Sequence, residues 1–261
     1  MNSPASGAIV ALERLVRRDR AVMLVALALL VALAVTWLLR EAARMQAMPA
    51  DMAMTWGPAE AWGLFLMWAV MMVAMMLPSA APVILLVLAM LRRRGDAGAL
   101  RSALAFVAGY LLAWTAFSAF AALLQLELHR TAVMPMDMRL RPGIASAAVL
   151  LLAGVFQWTP LKHACLRHCR SPFDALARYW REGSAGALVA GMRHGSYCVG
   201  CCWVLMLVLL VVGVMNLAWV AALAAVVLLE KATPLGPLVG RATGVAFIAW
   251  GAWRLYSAWT G

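Results

Sequence analysis

Acidic side chains are scarce in this chain, with 11 Asp and Glu against 22 Lys and Arg, and charged residues of both signs make up only 13% of 261 residues. No paired carboxylates, nucleotide-binding glycine loop or Ser/His/Asp set can be traced, so the sequence points away from a hydrolase or phosphotransferase, and from an enzyme generally. There is no internal repeat. Histidine is limited to four residues and cysteine to five, and every cysteine lies between Cys165 and Cys202. An odd, clustered set does not make a disulfide framework; it suits metal or thiol chemistry.

What the chain has in abundance is apolar sequence: 66% of residues are hydrophobic and the mean hydropathy is +0.88, more than a soluble core of this size needs. The expected fold is an all-α, polytopic helical membrane protein, a single embedded domain over residues 1–261 with six to seven transmembrane helices. The spans fall at 21–39, 61–91, 102–124, 143–158, 197–215, 217–231 and 238–259. The last is the weakest, because Arg241 and Arg254 could flank a shorter segment. The first is long for a signal peptide and is followed by Arg40, Glu41 and Arg44 rather than a cleavage site. Pro78 and Pro82 are expected to kink or break the second.

The net charge of +11 could suggest nucleic acid, but the basic residues sit in short connections between apolar runs, where they orient a chain in a lipid bilayer. With the N-terminus inside, 16 of the 22 Lys and Arg fall on the inner side, so the location expected is the bacterial inner membrane, multi-pass, with a cytoplasmic N-terminus. Cys165, Cys169, His163, His168 and the start of the Cys198 segment then lie toward the reducing cytoplasm. The loops holding Met45, Met48, Met52 and Met54, and Met134, Met136 and Met138, lie outside.

The sulfur pattern carries the chemistry. On a helix Cys198, Cys201 and Cys202 are related by steps of three and four, so they share a face, with Met206 one turn beyond. Cys165 and Cys169 are four apart, with His168 beside Cys169 and His163 two before Cys165. Upstream, Met67, Met71 and Met75 form one line and Met72 and Met76 the adjacent one. Twelve of the 18 methionines fall in this run and the two outside loops. Thiolate and thioether select Cu(I), zinc and iron–sulfur centres over hard cations, and thioether binds Cu(I) without losing a proton. Zinc competes where Cys and His combine in a tetrahedral set. Against this stands plain packing, in which Met fills gaps and free Cys is a small hydrophobe. His129 and His194 read as polar boundary residues, and Glu230 and Lys231 as snorkelling groups ending the sixth span.

The run Met67-Trp68 through Met75-Met76-Leu77-Pro78, then Lys162-x-x-Cys165-Leu166-x-x-Cys169-Arg170-x-Pro172, then Gly191-x3-Gly195-x2-Cys198-x-Gly200-Cys201-Cys202-Trp203 with Met206, and finally Glu230-Lys231, resembles a bacterial family of predicted metal-binding integral membrane proteins whose function is not established. The resemblance covers about residues 60–231 and implies a metal-binding membrane protein. His163, His168 and the outside Met loops stand apart from that pattern.

The functional expectation is a soft-metal protein, Cu(I) before zinc, that transports or delivers its ion. Outside Met loops capture it, Met67, Met71, Met72, Met75 and Met76 relay it, and the thiols hold it with Met206, His163 and His168 in reach. The partners expected are the bilayer and the metal ion, with no nucleic acid; a membrane or metallochaperone protein and a second copy are both compatible. Two other classes fit the same residues: an assembly factor or enzyme subunit with a structural metal or thiol site, and a membrane thiol oxidoreductase using Cys198 and Cys201.

Overall fold

A computed structural model describes residues 4–47, 57–131, 134, 139, 140, 143–170 and 180–260, with side chains from Arg17 onward. The described residues are all-α. Eight helices follow in order: α1 Pro4–Ala47, α2 Pro58–Arg93, α3 Ala99–Arg130, α4 Gly143–Phe156, α5 Pro160–Arg170, α6 Gly183–Val212, α7 Leu217–Ala232 and α8 Gly236–Thr260.

Four of these, α1, α2, α3 and α6, are long and apolar enough to cross a membrane, and α4 with α5 makes a fifth if the 60° bend between them is taken as a break within one span. The count therefore differs from the six to seven expected. At 1.5 Å per residue the 14 residues of α4 and the 16 of α7 reach only about 21 and 24 Å, short of a hydrocarbon core of roughly 30 Å. The 25-residue α8 is long enough, but Arg241, Arg254 and its glycines dilute its hydropathy. The prolines expected to break the second span do not end it: α2 runs unbroken through Pro78 and Pro82. In that turn the hydroxyls of Ser79 and Tyr110 both donate to the Met76 carbonyl, at 2.9 and 3.1 Å, the kind of side-chain support that lets an apolar helix carry proline.

The centre of the molecule is α6. Every residue from Val204 to Val212 is buried, and a helix apolar on all sides is one enclosed by its neighbours. Its principal partner is α3, which runs parallel to it: Gly109 lies under Leu188, Gly191 under the Phe106 carbonyl and Gly195 under Tyr110, and a Cβ at Gly109 or Gly191 would collide with backbone. Small residues thus let two long helices approach to backbone contact. Outside this pair, α2 packs on α3 and α1 on α2, where Asp19 pairs with Arg92. On the other flank α4 and α8 run antiparallel through Gly154 and Gly244, and α7 folds back on α8 with Trp219 stacked on Trp250 at 5.3 Å.

This connectivity places two short helices side by side. The start of α4, the end of α6 and the start of α7 share one end of the bundle, where the Leu140 amide donates to the Leu210 carbonyl at 2.8 Å. From there α4 and α7 both descend only part of the way along α6. Their lower tips, with α5 beneath them, meet α6 near its midpoint.

Candidate metal centre

Cys198 stands at that midpoint, 15 residues after Gly183 and 14 before Val212. The helix was expected and puts Cys198, Cys201 and Cys202 on one face, each 1% exposed. The thiols of Cys201 and Cys202 donate to the Cys198 carbonyl at 3.1 and 2.9 Å, which fixes their orientation down the helix. Met206, one turn on, is fully buried.

Facing them is α5. Cys169 is buried, and its sulfur lies 4.0 Å from that of Cys201. Cys165 is half-buried and rests on Gly200, where an added Cβ would come within 2.9 Å of its sulfur. The two cysteine groups, 32 residues apart between Cys169 and Cys201, do meet. With metal–sulfur bonds of roughly 2.3 Å, a tetrahedral site needs sulfurs about 3.8 Å apart and a linear one about 4.6 Å, so the Cys169–Cys201 pair lies between. Among the described residues no group of three or more His, Cys, Asp or Glu side chains is positioned to hold a metal ion.

The polar residues of the Lys162–Arg170 stretch explain why α5 sits where it does. Lys162, 1% exposed, donates to both Glu230 carboxylate oxygens at 2.9 and 2.7 Å and also to Gln157 Oε1. Arg170 donates to the Thr233 carbonyl at 2.8 Å, in the turn that joins α7 to α8. One ion pair and one backbone contact therefore clamp both ends of α5 to the tip of α7, with Leu166 and Cys169 turned inward between them. Glu230 is 2% exposed, so it does not snorkel as expected from its place at the end of an apolar run.

Lys231 is also engaged. Its ammonium donates to the Cys198 sulfur at 2.9 Å and to Ser79 Oγ at 3.3 Å, and the Tyr110 hydroxyl stands 3.1 Å from the same sulfur. Cys198 thus carries a countercharge and a hydroxyl within bonding distance, the setting in which a thiolate is compensated. Ser79 and Tyr110 tie this group to Met76 in α2.

Met67, Met71, Met72, Met75 and Met76 are all buried, from 0 to 3% exposed. They descend α2 toward the level of Cys198, and the last of them is joined to it through Tyr110. His163 and His168 are not drawn into the cluster. Both are exposed on α5, and His168 stacks on Tyr197 at 4.3 Å and donates to the Ala164 carbonyl. His129 and His194 are interior rather than boundary residues. His129 bridges Gln125 and the Met134 carbonyl, and His194 lies 5.9 Å from both Phe106 and Tyr110. Of the two Met loops, Met45 and Met134 are described, and Met134 is buried; Met48, Met52, Met54, Met136 and Met138 lie outside the described residues.

Sequence reasoning did not single out Gln157, Tyr110 or Ser79, and it met Lys162 only as part of the motif that carries the resemblance. A lysine and a glutamine in a strongly apolar chain were the available signal, since such groups inside a bundle must pair.

Compared with known proteins, the chain matches the family described as PpoB2: Copper chaperone, over residues 65–254. No curated protein and no solved structure matches it.

Proposed function

The chain belongs to the PpoB2 copper chaperone family, and on that premise we propose that it is an integral membrane protein that binds Cu(I) and delivers it. The observation that carries this reading is the meeting of Cys169 and Cys201 at 4.0 Å beside Cys198 and Cys202, in a buried setting with Lys231 at hand. Two or three thiolates satisfy Cu(I), whereas zinc asks for four ligands, and His163 and His168 on α5 are exposed. In this reading Cys169 and Cys201 are the first pair to hold the ion. Cys198 and Cys202 offer exchange positions on the same helix face, and Cys165 stands at the inner margin.

The buried thioethers supply the approach. Met67, Met71, Met72, Met75 and Met76 form a neutral soft-ligand line that ends at the level of Tyr110 and Cys198, and Met206 offers a further thioether above Cys202. An ion entering from the far end would move from thioether to thiolate, toward stronger binding. The bilayer and the copper ion are the partners this chemistry requires; a receiving protein would take the ion from the Cys165 side. The inner membrane, with the N-terminus in the cytoplasm, agrees with the charge distribution. With α4 and α5 as the fifth span, six crossings would require one of α7 and α8 to span and seven would require both, whereas a hairpin entering and leaving by one side accounts for the brevity of α7.

The deciding experiment is elemental analysis of detergent-purified protein grown with copper and zinc together, beside Cys198→Ser/Cys201→Ser/Cys202→Ser. About one copper per chain, lost in the variant, is expected. Zinc in its place, or no metal even after anaerobic reconstitution, overturns the reading.

A further inference from the structure

Two lysines stand beside the thiol centre, and they are matched differently. Lys162 is cancelled by Glu230, since its ammonium donates to both carboxylate oxygens. Lys231, the next residue of α7, is turned about 100° round the helix from Glu230 and meets sulfur instead of a carboxylate. Its ammonium lies 2.9 Å from the Cys198 sulfur and 3.3 Å from Ser79 Oγ. Ser79 is itself held, its hydroxyl donating to the Met76 carbonyl, so the lysine is pinned between α2 and α6. Cys198, Cys201 and Cys202 are each 1% exposed, and Cys201 lies one turn from Cys198 and 4.0 Å from Cys169. A unit charge in so apolar a setting is weakly screened, and an ion anywhere in the cluster feels Lys231.

Charge arithmetic then separates ions that softness alone does not. A monovalent ion on two thiolates forms a singly charged anion, which the lysine neutralises. A divalent ion on the same two thiolates is already neutral, and the lysine leaves the buried centre with one net positive charge. An uncompensated charge away from water is costly. Cu(I) and Hg(II) make the cleanest comparison, because both favour thiolate over oxygen and both accept two sulfurs in line, yet they differ by one charge.

We propose that Lys231 is the specificity-determining residue of the thiol centre, its fixed positive charge favouring a monovalent soft ion over a divalent one on the same pair of thiolates. The inference rests on the copper reading and adds to it the class of ion and the residue that selects it.

The test is anaerobic competition titration of the detergent-purified full chain at one fixed pH, with Cu(I) and with Hg(II), read as the ratio of the two affinities for the first equivalent. Both ions displace the same thiol protons, so the ratio cancels whatever protons the thiols carried beforehand. In Lys231→Met the preference for Cu(I) over Hg(II) is expected to fall at least tenfold. Lys231→Gln, which keeps a hydrogen-bond donor for Cys198 and Ser79, should fall likewise and serves where the apolar variant does not fold. Lys231→Arg keeps the charge and should keep the parental ratio. Tyr110→Phe removes a neutral contact to the same sulfur and should shift both ions alike. A ratio unmoved in folded Lys231→Met or Lys231→Gln, or lost equally in Lys231→Arg, would overturn the role of Lys231 while leaving copper binding intact. A parent chain that binds no Cu(I) would overturn the copper reading and this inference with it.

Discussion

Replacing Glu230 by glutamine keeps the shape of the side chain and most of its hydrogen bonding but removes the only acid that pairs with Lys162 among the described contacts. Lys162 is 1% exposed, so its ammonium would be left with neutral acceptors, chiefly Gln157. Breaking one side of a buried ion pair costs about 3–5 kcal/mol. Glu230→Gln should therefore destabilise by about 3–5 kcal/mol. At roughly 2–4 °C per kcal/mol for a chain of this size, that lowers the melting temperature by about 10 °C. Thermal unfolding in detergent, followed by circular dichroism at 222 nm, reads it. Lys162→Met/Glu230→Leu should recover most of the loss, because an apolar pair of similar volume leaves no buried charge. A single variant within about 1 kcal/mol of the parent, or a double variant no better than the single, would refute the view that this pair clamps α5 beneath α7.

Other consequences are as direct. Cys169→Ser and Cys201→Ser should each abolish stoichiometric Cu(I) binding in anaerobic competition titrations, whereas His168→Ala, which removes an exposed stack on Tyr197 and a hydrogen bond to the Ala164 carbonyl, should leave it intact. Met71→Leu/Met75→Leu conserves core volume, costing under about 1.5 kcal/mol per site, yet removes two thioethers; copper uptake into vesicles should fall severalfold while the melting temperature holds, and unchanged uptake would mean that these residues only pack. Gly191→Leu drives a side chain into the Phe106 carbonyl and should cost at least about 3 kcal/mol, or prevent accumulation of folded protein, by parting α3 from α6. Mild oxidation should join Cys169 to Cys201, detectable by peptide mapping, and should block copper binding until reduced.

The long spans and the sulfur stripes were legible because each rests on local periodicity. An apolar run of 20 or more residues has few alternatives to a helix, and CxxCC on a helix must share a face. Proximity between distant segments was not legible. Nothing in the spacing of Cys165 and Cys169 says that their helix lies across α6; that is decided by Lys162 reaching Glu230, 68 residues away, and by Arg170 reaching Thr233. The span count differed for a related reason. Hydropathy registers that residues 143–158 and 217–231 are apolar, but whether such a run crosses or stops partway depends on what meets its end. Here the ends meet a buried ion pair rather than water. The histidines misled in the opposite sense: His163 and His168 are near the cysteines in sequence, but their positions on α5 turn them outward.

A buried Lys–Glu pair is a poor way to gain stability, so its presence in so apolar a chain calls for another reason. Position supplies one. Lys162 and Cys169 are seven residues apart, two turns along one face of α5, and Glu230 is adjacent to Lys231, which touches Cys198. The pair that fixes α5 therefore also fixes the spacing between the Cys169 and Cys198 faces, and any rotation of α7 about its axis would move Lys231 from Cys198 and strain Lys162–Glu230 together. An apolar replacement would hold α5 in place through packing alone, with no such link to the sulfur cluster. The consequence can be measured. Lys162→Met/Glu230→Leu, though stable, should bind Cu(I) at least roughly tenfold more weakly than the parent, the effect of losing about 1.4 kcal/mol of preorganisation. Parental copper affinity in that stable double variant would show that the ion pair only holds the bundle together and does not set the geometry of the thiols.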